Sequence, residues 1–120
     1  MTRCNEVTII LVTVPPKHPF TIIYAPITRT HLRTIEAKYY ALIRTTIEER
    51  LSHGPDVTTR NRKPLKRPVF FEATWELRFG PGNQFRVFYD IDQEQHVVAV
   101  LAIGIKRGNR LLIGGEEMRL

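Results

Sequence analysis

The stretch TWELRFGPGNQFRVFYDI, residues 74–91, decides the fold. Trp75, Leu77 and Phe79 alternate with Glu76 and Arg78, the period of two that puts apolar side chains on one face of a strand and charges on the other. Gly80-Pro81-Gly82-Asn83 is turn chemistry. Beyond it Phe85, Val87 and Tyr89 alternate around Arg86. Two alternating runs joined by a short turn read as an antiparallel hairpin with one buried face. A polar turn from Asp92 to Gln95 then leads into Val97–Ile103, apolar on both faces and so a central strand.

Upstream the period changes. Phe20–Tyr24 is a short run of strand composition, and Pro26 suits the start of a helix, where its missing N–H is harmless. From Ile27 to Ser52, Leu32, Ile35, Tyr39, Ile43, Ile47 and Leu51 recur every three or four residues, one apolar stripe along a helix. The span is long for one helix, so two helices, or one kinked near Glu36 to Lys38, are expected. His53-Gly54-Pro55 is a stop signal, and residues 56–73 read as a loop-like connection. The expectation is a small single α+β domain: a mixed, mainly antiparallel twisted sheet of about four strands with two N-terminal helices on one face. Residues 1–19, closed by Pro15, Pro16 and Pro19, read as an N-terminal extension with the composition of an extra strand, and 20–120 as the domain.

A chain of 120 residues is large enough for one core without metal or disulfide support. Cys4 is the only cysteine, which excludes an internal disulfide or a thiolate zinc site and suits a reducing cytoplasm. No cofactor or metal is implied. No apolar run approaches the roughly 20 residues of a membrane span. The β-branched run Val7–Val14 lies between Glu6 and Pro15-Pro16-Lys17, which suits a strand better than a secretory core.

The informative quantity is charge. Eighteen Lys and Arg against twelve Asp and Glu leave a net +6, a surface that attracts polyanions. The cations are clustered: Arg60, Arg62, Lys63, Lys66 and Arg67 in one loop, Lys106, Arg107 and Arg110 near the end, and Arg78 and Arg86 on the polar face of the hairpin. Guanidinium groups grip phosphate oxygens in pairs and stay charged at any cellular pH. Against this stands a plain solvated surface with Arg78 and Arg86 paired to Glu76 and Asp90; composition alone leaves the two even. Lone histidines are more often surface or capping residues than catalysts, and His31, His53 and His96 are read that way.

The order of the parts adds to this reading. Strand, apolar-striped helices, a basic loop and an antiparallel meander, with Arg62-Lys63-Pro64-Leu65, Trp75-Glu76-Leu77-Arg78, Phe85-Arg86-Val87-Phe88-Tyr89 and Ile103-Gly104-Ile105-Lys106-Arg107 in that order, resemble the RelE/ParE toxins of type II toxin–antitoxin modules. The resemblance covers roughly residues 20 to 115. It implies a cognate antitoxin as partner and one of two targets: the ribosome with its mRNA, cut by a metal-independent endoribonuclease that inhibits translation, or DNA gyrase. A degenerate, non-toxic nucleic-acid-binding domain is the third reading. For a nuclease it implies Arg86 and Arg78 on phosphate, Lys106 or Arg107 as a further cation, and Glu76 as proton acceptor. Arg60, Arg62, Lys63, Lys66, Arg67 and Arg110 would then bind RNA. The cationic face and the stripe of Leu32, Ile35, Tyr39 and Ile43 are read as the surface an antitoxin covers. The stretch matching the family's C-terminal tyrosine or His–Tyr pair is Leu111-Leu112-Ile113-Gly114-Gly115, which holds neither, so charge stabilisation stands without an evident general acid.

Overall fold

The computed structural model describes residues 19–66 and 70–118. All but the last residue of the 1–19 extension, and Arg67, lie outside the described residues. In chain order the elements are β1 (Thr21–Tyr24), α1 (Ile27–Leu32), a 3-10 turn (Ala37–Tyr39), α2 (Tyr40–Leu51), β2 (Arg62–Pro64), β3 (Trp75–Phe79), β4 (Phe85–Asp92), β5 (Val97–Arg107), β6 (Arg110–Ile113) and β7 (Glu116–Met118). Short 3-10 turns at Phe70–Glu72 and Pro81–Asn83 precede β3 and β4.

The strands form one mixed sheet in the order β2-β3-β4-β5-β6-β7, with β1 parallel to β5. β4 runs antiparallel along one edge of β5. The other edge is shared end to end: β1 pairs with Val97–Val100 and β6 with Gly104–Arg107. In the gap between them stands His31, whose Nδ1 accepts the Ile103 N–H at 3.2 Å. His31 is 3 % exposed, and burial pushes its imidazole below the usual range for histidine.

The expected helical break is present, with α1 ending at Leu32 and the 3-10 turn at Ala37–Tyr39 leading into α2. Ile35, Ile43, Ile47 and Leu51 pack on Leu77, Phe79, Phe85, Val87 and Tyr89, forming the main core between helices and sheet. Each such side chain contributes about 1.5–3 kcal/mol by leaving water. Tyr39 meets Phe85 edge-on at 5.0 Å. The stripe is therefore spent on the core, and Ile35 and Ile43 do not form the surface expected to meet an antitoxin; the exposed apolar residues of this layer are Ile27, Tyr40 and Leu42.

Among the described residues the strand count is corrected from about four to seven. The additions are short: β2 lies inside the connection read as loop, and β6 and β7 form a terminal hairpin over the stretch read as patch and tail. β5 is apolar on both faces for a reason that alternation does not give. Register slips at Phe88/Tyr89, where Phe88 faces Ala102 and Tyr89 faces Val100, leaving Leu101 as a bulge. The extra residue resets the parity, so Val98 and Val100 before it and Ile103 and Ile105 after it all reach the same core. On the opposite face a smaller cluster gathers Ala73, Phe88, Ala102 and Ile113.

Two side chains tie the connection 52–61 to this frame. Arg62, 9 % exposed, donates from Nε to the Val57 carbonyl at 2.8 Å and from Nη1 to the Arg50 carbonyl at 3.0 Å, capping the last turn of α2. Tyr89 donates its hydroxyl to the Pro55 carbonyl at 2.7 Å, and burial pushes its pKa well above the usual tyrosine range.

Candidate phosphate-binding groove

The alternation that sends Leu77, Phe79, Phe85 and Val87 toward the helices sends Glu76, Arg78, Arg86 and Phe88 to the other face. There they line a concavity of about 570 Å³. Lys63 joins them from β2, directly opposite Glu76, and Lys106 from β5. Leu65, Phe88, Leu111 and Met118 supply an apolar floor, and Asn109 and Glu117, the latter paired with Arg110, complete the lining. Cations along one side of an apolar floor suit a ligand that is anionic in one part and flat and weakly polar in another.

Arg78 and Arg86 are direct partners across β3 and β4. Like charges so placed repel, and Glu76 offsets them. Its Oε2 lies 3.2 Å from Arg86 Nη1 and its Oε1 3.5 Å from Arg78 Nη2. Glu76 and Arg86 are 6 % and 9 % exposed. Arg86 also donates from Nε to the Asn83 carbonyl at 3.2 Å. Asn83 in turn donates through its side-chain amide to Asn61 Oδ1, which links the β3–β4 turn to the residue before β2. Arg78 is looser: its Nε is buried without a hydrogen-bond partner.

The structure thus brings Glu76, Arg78, Arg86, Lys63 and Lys106 together. It also separates the pair the sequence left open, because Lys106 lines the groove while Arg107, the next residue of the strand, projects to the other face. Arg60 and Lys66 are exposed outside the groove lining. Arg110 pairs with Glu117 at 3.2 Å. Arg62, expected among the RNA-binding cations, has its guanidinium committed to the backbone carbonyls of Val57 and Arg50. Arg86 lies on the polar face of the hairpin as expected and pairs with Glu76, but the pair is buried rather than solvated. Sequence reasoning missed Asn83, and it missed Phe88, although an aromatic two positions from Arg86 shares its face. Among the described residues no three His, Cys, Asp or Glu side chains gather as metal ligands, and no helix is long and apolar enough to cross a membrane.

No family model and no curated protein matches this chain. Among solved structures, the crystal structure of the RelBE2 toxin–antitoxin complex from Mycobacterium tuberculosis is similar with a TM-score of 0.61 and 26% sequence identity. The match covers 75% of this chain and 94% of that one.

Proposed function

We propose that this chain, whose fold is that of the RelE-like toxins, is the toxin of a type II toxin–antitoxin pair and acts as a ribosome-dependent mRNA endoribonuclease. The observation that carries the reading is the convergence of Arg78, Arg86, Lys63 and Lys106 on one groove with an apolar floor. Fixed cations stabilise the charge that develops on a phosphate under attack by the neighbouring ribose hydroxyl. The floor of Phe88, Leu65 and Leu111 suits the face of a base.

Among the described residues the groove lining includes no histidine or tyrosine. Its chemistry is therefore charge stabilisation, with substrate orientation left to the ribosome, and orientation alone lowers a barrier by up to about 7–11 kcal/mol in favourable cases. Slow cleavage that depends on ribosomes, with free RNA left intact, is the expected behaviour. The partner is an antitoxin segment with carboxylates for the groove, and the toxin's place of action is the cytoplasm.

The test is primer extension on mRNA in a translating extract, run beside a gyrase supercoiling assay. New 5′ ends within codons, absent without ribosomes and absent with Arg86→Ala, support the nuclease. Intact mRNA with blocked supercoiling transfers the proposal to gyrase, the target favoured by Leu111 standing where an aromatic would be needed.

A further inference from the structure

We propose that Glu76 is a positioning residue, whose carboxylate holds Arg78 and Arg86 as one two-armed receptor for a single phosphate. The inference rests on the phosphate-binding reading of the groove and changes the part Glu76 plays in it. The sequence makes Glu76 a candidate proton acceptor. In the structure each of its oxygens faces a guanidinium group, Oε1 that of Arg78 and Oε2 that of Arg86. To take a proton it would have to release the arginines on which charge stabilisation depends.

The arms differ. Arg86 is fixed: its side chain is 11% exposed, Nη1 is held by Glu76, and Nε–H is held by the Asn83 carbonyl. Arg78 is adjustable: its side chain is 35% exposed, one contact of 3.5 Å holds it, and its Nε–H is buried with no acceptor. A buried donor without a partner is under-satisfied. A phosphate bound between the arms relieves this, because guanidinium and phosphate oxygens meet through paired hydrogen bonds. Glu76 then sets the spacing of two cations that repel each other at directly opposed positions.

The experiment follows the arginine Nε–H resonances of the 15N-labelled protein during titration with inorganic phosphate and with an RNA trinucleotide carrying one deoxyribose to block cleavage. In the wild type the Arg78 and Arg86 signals are expected to move with both ligands. In Glu76→Gln both affinities fall about tenfold and the Arg86 signal broadens, while Glu76→Asp, which keeps the charge, recovers part of the loss. In ribosome-dependent cleavage Glu76→Gln lowers the rate at every pH and leaves the shape of the pH profile alone. Unchanged phosphate affinity, with loss of only the acid limb of that profile, makes Glu76 the proton acceptor and overturns the proposal. If Glu76→Gln fails to fold, Glu76→Asp carries the test, and wild-type affinity in that variant overturns the proposal equally. A wild-type protein that binds phosphate at both arginines yet cuts nothing leaves the positioning role standing and removes the nuclease reading instead.

Discussion

Replacing Arg86 by alanine should be costly to the fold as well as to function. The change deletes the 3.2 Å contact to Glu76 and the Nε–H bond to the Asn83 carbonyl, and it strands a carboxylate that is 6 % exposed. Breaking a fully buried pair costs about 3–5 kcal/mol. Here Arg78 stays within 3.5 Å of the carboxylate and the groove is open to water, so about 2–3 kcal/mol is the fitting magnitude. For a domain of this size that lowers the melting temperature by roughly 8–18 °C. Arg78→Ala removes one longer contact from a more exposed side chain and should cost under about 1 kcal/mol, a shift of only a few degrees. Replacing both Glu76 and Arg86 by leucine removes the stranded charge and should recover much of the stability, though none of the toxicity. Melting curves of the four proteins in low-salt buffer decide the matter. An Arg86→Ala protein that melts within about 2 °C of the wild type would refute the reasoning and return Arg86 to a solvated strand face.

Other expectations concern the frame around the groove. His31 must be neutral to accept the Ile103 N–H, and burial holds its folded-state pKa below the unfolded one. Stability from this group is full above about pH 6.5. It declines as pH falls, because the unfolded chain takes a proton that the folded chain refuses, and it levels off once the folded imidazole is protonated, with a slope of at most about 1.4 kcal/mol per pH unit. Urea midpoints between pH 5 and 7 should show this slope in the wild type and lose it in His31→Gln; equal slopes would dismiss it. Arg62→Ala should destabilise by about 1–3 kcal/mol through two orphaned carbonyls while leaving RNA affinity in a filter-binding assay unchanged. Gly80 has φ +86°, and a Cβ there would lie 2.4 Å from Phe85 Cδ2. Gly80→Ala should therefore cost about 2–4 kcal/mol of unfolding free energy in urea and shift the turn that holds Arg86, and a neutral result would contradict the packing.

The hairpin and the helical layer are legible because their signals are local. Trp75 to Tyr89 carry the period of two, and Ile35 to Leu51 the period of 3.6, each imposed by a single buried face. What was not legible depended on distant partners. Arg62 and Arg60 look alike in the sequence, yet only Arg62 meets the carbonyls of Val57 and Arg50, groups that the fold brings within reach. Glu76, Arg78 and Arg86 were visible as a charged face, but their burial follows from the walls raised by β2 and the terminal hairpin. That hairpin did carry a signal: Gly114-Gly115, both at positive φ, is the two-residue turn that joins short antiparallel strands. The bulge at Leu101 had none, since a uniformly apolar run hides a change of parity.

The pairing of β1 with β5 sets an order of assembly. Thr21 lies beside Val97 and Tyr24 beside Val100, so the first described strand to be synthesised finds its neighbour only after both helices and β2 to β4 have followed. β3, β4 and β5 pair across short turns and close small loops, whereas β1 must close a loop spanning the helices and half the sheet. The first described strand thus waits for β5, and the helices rest on an unfinished sheet until it docks. The groove obeys the same timetable, because its last cation, Lys106, lies on β5 itself. A chain proposed to act on ribosomes in this way lacks both its sheet and its groove until β5 has been made.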